Sequence, residues 1–286
     1  MAAEKVIYIN SRGQSIELTS RRPFLLESVE GRGGVEADVQ MQSAPFQDGS
    51  TFIDTTLSTR SLALNVNLLA KSRDELNNLR HQVSTIFNPK LGLGKLIYSN
   101  GDVEREIDVV VDGSPSYPVG DAKGRWYQRT AINLIAPNPY WQGTAIEKYK
   151  LEDFVGNFRF KFGFPVRFAT RGDGRTLVNN GDVPTPIKVE FRGPVTNPRI
   201  TNVTTGEFIK VNRAIPSGYK LILDTSFGNK RVEIVAPDGV VQNAFHYIDL
   251  ESTFFSLDVG ENRFSFITEG GNPEVYVEYK HRYLSV

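Results

Sequence analysis

The stretch Ala136-Pro137-Asn138-Pro139-Tyr140-Trp141 constrains this chain most. Two prolines within three residues remove two backbone donors and bias Ala136 and Asn138 away from helix. A strand can run through such a stretch only along an edge. Two large aromatics follow at once, which makes the break a packed corner and not a loose linker. Before it lies the only convincing helix pattern; after it come strand patterns and turns without helix. The corner therefore reads as the junction of two domains, 1–141 and 142–286, with Pro137, Pro139, Tyr140 and Trp141 as the junction residues. A length of 286 residues suits two ordinary domains.

Hydrophobic residues at 40% and charged residues at 23% describe a normal globular chain, so disorder is excluded as the general state. Phe 18 and Tyr 11 against Trp 2 suit β-sheet cores. A formal net charge of +0 gives no global attraction to nucleic acid or anionic lipid. With Cys 0, a disulfide framework and a thiolate zinc site are both ruled out. No apolar run reaches membrane-spanning length, and Met1-Ala2-Ala3-Glu4-Lys5 lacks a signal peptide's apolar core. The expectation is synthesis and folding in a cytoplasm, without membrane insertion.

Residues 6–9 and 16–18 predict an opening hairpin around Ser11-Arg12-Gly13. Gly31-Arg32-Gly33-Gly34 reads as a flexible break before a strand over Val35–Met41, and Pro45-Phe46-Gln47-Asp48-Gly49-Ser50 as a surface loop. Leu62, Leu64, Val66 and Leu68 share one face of a strand. The period then changes. Ser72 and Glu75 match a capping box, hydroxyl and carboxylate each satisfying an orphan amide. Leu76, Leu79, Val83 and Ile86 follow at helical spacing, and Asn88-Pro89 stops the helix. Leu96–Ser99, Asn100-Gly101 and Val103–Val111 predict a hairpin with a type I′ turn. Asp112–Gly124 reads as a loop, and Trp126–Ile135 as the strand that runs into the corner.

Beyond the corner, Phe158, Phe160, Phe162, Phe164, Val166 and Phe168 alternate with a mostly basic set, which reads as a core face opposite a solvated face. Short strands separated by Gly193-Pro194, Pro216-Ser217-Gly218, Gly228-Asn229 and Pro237-Asp238-Gly239 then predict an antiparallel sandwich. The fold class is mainly β with one α-helix.

Chemistry is scarce. His81, His246 and His281 lack metal-ligand spacing, and there is no H-E-x-x-H, G-x-S-x-G or P-loop. Arg171-Gly172-Asp173 spells an integrin-type tripeptide by coincidence, and Asn202-Val203-Thr204 is a glycosylation sequon that matters only on a secretory route. A sugar-stacking platform would have to be Trp126 or Trp141, and both read as packed residues near the corner. The residues predict no catalytic, cofactor or metal site.

Several segments, in order, resemble the siphophage distal tail protein family: Pro45–Ser50, Phe87-Asn88-Pro89-Lys90, Val110-Val111-Asp112-Gly113, Ala136–Trp141, Asn179–Pro186, Thr204–Lys210 and the ending Arg282-Tyr283-Leu284. The resemblance implies an N-terminal ring-forming β domain with one helix and a C-terminal galectin-like β-sandwich. It implies a homohexameric ring at the virion tail tip, assembled in the bacterial host cytoplasm. Its partners would be the tail tube protein, the tail-associated fibre or lysin protein, and receptor-binding proteins. DNA would pass through the ring without sequence-specific binding. The role implied is assembly, not catalysis, and no cofactor. The alternative is a carbohydrate-binding adhesion module contacting the host cell wall, which predicts an exposed aromatic groove in the C-terminal domain. A cell-wall hydrolase would instead need a carboxylate pair or zinc site in a cleft.

Overall fold

The computed structural model describes residues 4–151 and 173–286. It is mainly β with one α-helix, as the sequence patterns predict. The chain divides into two compact units. Unit 1 comprises Met1–Thr144 with Tyr283–Val286, and unit 2 comprises Ala145–Arg282. The corner residues Pro137, Pro139, Tyr140 and Trp141 lie within unit 1.

Unit 1 opens with β1 (Lys5–Ile9) and β2 (Ser15–Leu18), joined by a turn in which Gly13 takes φ +77°. Then come β3 (Phe24–Glu30), β4 (Ala37–Gln42), β5 (Thr51–Leu57) and β6 (Arg60–Leu69). Helix α1 (Arg73–Ile86) is followed by β7 (Gly94–Ser99), β8 (Glu104–Val111), β9 (Tyr127–Ala136) and β10 (Trp141–Gly143). The main sheet runs β2-β1-β7-β8-β9-β6-β3, with β10 beside β8. Strand β8 pairs with β7 up to Val109, then with β9 through Val110 and Val111, so one strand passes between two ladders.

Alternation explains β6: Leu62, Leu64, Val66 and Leu68 are all buried. They share one core with Leu76, Leu79, Val83 and Ile86 of α1, and with Tyr8 stacked on Phe87 at 4.4 Å. The helix starts at the N-cap Ser72, whose Oγ accepts from Glu75 N at 3.1 Å. The Glu75 carboxylate accepts from Lys71 N at 2.6 Å, one residue before the cap, so the reciprocal bond of the capping box is shifted outward. Phe87 closes the far end, its N donating to Val83 O at 2.9 Å, and Asn88 caps the short 3-10 turn that follows by accepting from Lys90 N.

Two local expectations need correction. The loop after β7 is not a two-residue type I′ turn. Ser99 pairs with Glu104, and Asn100 Oδ1 accepts from Asp102 N and Val103 N, with Gly101 at φ +94°. The Asn100 side chain makes this longer loop affordable by filling amides that a tight turn would pair through backbone. The break at Gly31–Gly34 is not loose either. Its carbonyls are bound by Arg60 and Trp141, as described below. Gly31 takes φ +79°, and a Cβ there would lie 2.0 Å from Ser61 O, so this backbone crossing accepts no side chain.

Unit 2 has two principal antiparallel sheets. The larger runs Glu147–Leu151, Glu274–Tyr279, Thr185–Arg192, Lys220–Asp224, Arg231–Val235, Val241–Asn243. The smaller runs Asp173–Asn179, Gly260–Ile267, Arg199–Asn202, Phe208–Lys210. Val189, Phe191, Leu221 and Val277 of the first share a core with Leu177, Ile200, Phe264 and Phe266 of the second. Phe191 meets Phe266 edge-on at 6.2 Å, a contact that adds about 1 kcal/mol to the area term.

Candidate functional site

Strands β4 and β5 form a two-stranded sheet of their own. Every residue from Glu36 through Thr56 is exposed. Val39, Met41, Phe46, Phe52 and Ile53 are among them, and Met41 stands opposite Phe52 across the ladder. The tip is built by Ser43 Oγ against Ser50 Oγ at 3.0 Å and by Ala44 N donating to Gln47 Oε1 at 3.1 Å. Phe46 sits there at φ +65°, a conformation that costs a non-glycine residue about 1 kcal/mol or more, with its ring wholly in solvent. The segment 35–59 contains Glu36, Asp38, Asp48 and Asp54 and no lysine or arginine. Among the described residues none of these four carboxylates has an ion-pair partner.

A second surface surrounds Trp126, which is 49% exposed. A cleft of about 640 Å³ is lined by Lys71, Arg73, Arg80, Lys123 and Arg125 beside the tryptophan, and a neighbouring one of about 490 Å³ adds Arg22 and Tyr127. Neither lining includes a carboxylate. Among the described residues none of these six cations is in an ion pair, although Asp74 and Glu75 occupy the adjacent first turn of α1. The cleft is rigidly built. Buried Gln128 donates through Nε2 to Pro118 O at 2.8 Å and Ala122 O at 3.3 Å, and Tyr127 donates to Asp121 O at 2.8 Å. The Tyr127 ring lies over Gly124, where a Cβ would come within 2.1 Å of it. Arg125 stands 5.3 Å over the Trp126 ring, and Arg80 stands 4.7 Å over Tyr117.

The corner residues surround Arg60. Its guanidinium is 1% exposed and faces carbonyls: Nε donates to Pro139 O at 2.7 Å, Nη1 to Gly31 O at 2.7 Å and Gly33 O at 3.2 Å, and Nη2 to Leu284 O at 2.6 Å. Burial lowers its pKa, yet a guanidinium does not deprotonate in proteins, so the charge is held by peptide dipoles alone. Trp141 is fully buried, donates to Arg32 O at 3.2 Å and packs against Tyr98. It has no face for a sugar, which leaves Trp126 as the one tryptophan open to solvent.

Other sequence features contribute little here. The alternating Phe158–Phe168 segment and Arg171-Gly172 lie outside the described residues. Asn202 is buried, with its Nδ2 donating to Asn262 Oδ1 at 3.4 Å and its Oδ1 accepting from Thr204 N at 3.1 Å, so its amide nitrogen is not presented to a glycan. Among the described residues no three His, Asp or Glu side chains gather as a metal site. Sequence reading placed the strand Val35–Met41 and the loop Pro45–Ser50 but missed the arm's second strand and its charge, and it missed the cleft and Arg60. A charge count by segment would have found the arm. The cleft draws on residues 22, 71–80 and 123–127, and no local pattern joins them.

Comparison with known proteins supplies the context. A family described as phage tail protein RIFT-related domain matches residues 11–136, and one described as siphovirus-type tail component, C-terminal domain, matches residues 180–283. No curated protein matches the chain. Among solved structures, SPP1 Dit (gp 19.1), described as a paradigm of the hub adsorption apparatus in Gram-positive-infecting phages, is similar at TM-score 0.69 with 12% identity, over 97% of this chain and 98% of that one. A chain of the phage P2 baseplate in its activated conformation with Ca is similar at TM-score 0.58 and 9% identity, over 98% of both. The same baseplate with Sr gives TM-score 0.56 and 9% identity, again over 98% of both. These structural likenesses establish the fold. With both halves matched in order by tail-protein families, the chain belongs to the siphophage distal tail protein family.

Proposed function

We propose that the protein is the hub of a siphophage tail tip, six copies closing into a ring between the tail tube protein and the tail-associated fibre or lysin protein. A ring requires a heterologous interface, two different patches of one chain that match across a rotation. The observation that carries this reading is the uncovered arm of unit 1. A lone two-stranded hairpin is at best marginally stable in water, and this one presents large apolar side chains to solvent. Unit 1 forms the ring in this reading, and unit 2 holds receptor-binding proteins. The zero net charge suits a conduit through which DNA moves without being retained. The role is structural, and no reaction is assigned.

Native mass spectrometry of the purified protein, with negative-stain images of the same sample, tests the proposal. Closed six-fold rings with a central hole are the expected result. A strict monomer, both alone and with the tail tube protein added, would remove the hub reading. The adhesion alternative has less behind it, since both tryptophans lie in unit 1 and not in the C-terminal unit.

A further inference from the structure

Unit 1 carries two exposed surfaces of opposite charge, each without ion-pair partners among the described residues, and the acidic one is also apolar. We infer that the β4–β5 arm of one copy seats in the Trp126 cleft of the neighbouring copy, and that this contact is the heterologous joint of the ring. The inference rests on the ring reading and specifies which patches meet.

Three observations support it. The arm brings Glu36, Asp38, Asp48 and Asp54 with no compensating cation, and the clefts bring six cations with no carboxylate in their lining. Opposed patches of this kind steer encounter and fix register. Next, the arm's exposed Met41, Phe46 and Phe52 need cover, and the cleft supplies an aromatic platform in Trp126 and Tyr127. Tryptophan and arginine are also the side chains most enriched where interfaces concentrate their binding energy. Finally, reach is sufficient. The six-residue strand β4 spans about 20 Å before the tip begins, enough to cross onto another molecule. The strained Phe46 at that tip is the natural anchor: its conformation costs stability in the free chain and is repaid on burial.

Carbodiimide coupling of the full-length protein tests the contact, because it joins a carboxylate to a lysine amine only when the two touch. An equal mixture of light and heavy isotope-labelled chains separates bridges between copies from bridges within one. The expected result is light–heavy bridges from the arm carboxylates to Lys71 and Lys123. Asp48→Lys with Asp54→Lys on the arm, or Lys123→Glu with Arg125→Glu on the cleft, should each cut these contacts and raise the concentration needed for assembly by about tenfold or more. One chain carrying both reversals should recover to within about threefold of the wild type. Thermal midpoints confirm that each variant is folded.

The absence of light–heavy bridges at these positions overturns the contact, whether or not rings form. So do bridges confined to a single copy, and so does failure of the combined reversal to recover. Rings without these bridges leave the hub reading standing and refute only this joint. Bridges in an open, non-ring assembly keep the joint and refute the closed ring. Absence of bridges together with wall-polysaccharide binding that Trp126→Ala abolishes would replace the neighbouring copy by a glycan.

Discussion

The larger sheet of unit 2 and the arm and cleft of unit 1 handle exposed charge in opposite ways. On the unit 2 sheet, charges answer one another across the strands. Lys150 meets Glu274 at 2.9 Å, and Arg192 lies between Glu274 at 3.8 Å and Glu190 at 2.6 Å. Lys220 also reaches Glu190 at 3.8 Å, Arg231 joins Asp224 at 2.9 Å and Glu233 at 3.6 Å, and Lys148 pairs with Glu278. Pairs this exposed each add little, about 0–1 kcal/mol. Their effect is different: they leave few free charges for anything outside to bind. In unit 1 the arm and the cleft separate their charges onto two surfaces, and each lacks what the other has. A satisfied face has little charge to offer another molecule, whereas an unsatisfied one keeps its charge available to a partner.

The sharpest way to break this comparison is Arg60, a cation with no carboxylate partner that is nevertheless not free. If lacking a carboxylate always meant availability, replacing Arg60 would be harmless. Instead Arg60→Met strands the Pro139, Gly31 and Leu284 carbonyls, and should destabilise unit 1 by about 4 kcal/mol. Tryptophan fluorescence during urea unfolding measures this, since both tryptophans are in unit 1. A loss below 1 kcal/mol would show that the carbonyl cage is dispensable.

The next effect belongs to unit 2. Glu190→Ala leaves Arg192 and Lys220 without their shared acceptor, and should cost about 1.5 kcal/mol, read by hydrogen exchange in the strands around it. Acid should weaken the same face. Burial pushes the Glu190 carboxyl up, but its bond to Arg192 and the charges of Arg192, Lys220 and Lys148 outweigh that and hold it below its ordinary value. Burial likewise raises Asp224, while bonds to Ser226 and Arg231 bring it below the usual range. Each group's stabilisation is complete above the unfolded carboxylate value of about 4 and is lost as pH falls through the lower folded value. Urea midpoints should therefore drop on acidification, and Glu190→Gln with Asp224→Asn should flatten the slope. An unchanged slope would remove these two groups from the account.

The smallest effect is the most discriminating. Lys123→Ala and Arg125→Ala should change the stability of the isolated chain by no more than about 0.5 kcal/mol, because they break no ion pair among the described residues. A larger loss would mean that the cleft is a structural feature of the single chain.

The regular elements were legible because burial imprints periodicity. Strand β6 alternates, and α1 shows both a helical stripe and its cap. Strand β3 was not read, since a bulge between Leu26 and Ser28 shifts its register and spoils the alternation. Strand β5 was not read because neither face is covered and no burial pattern exists to detect; β4, equally uncovered, was legible only from the glycine break and the loop that bracket it. The Arg60 cage was invisible because its acceptors lie 26 to 224 residues away in sequence. The prolines at 137 and 139 showed a corner, but not that one of their carbonyls would close a ring of acceptors around an arginine.

The segment Tyr283–Val286 belongs to unit 1, with Tyr283 and Val286 against its core, Tyr283 under Arg105 at 3.6 Å and Leu284 O on Arg60. A ribosome makes these residues only after all of unit 2. The unit that emerges first is thus the one finished last, and its arginine cage stays open until translation has passed residue 284. Premature termination anywhere in unit 2 leaves that cage without its Leu284 carbonyl.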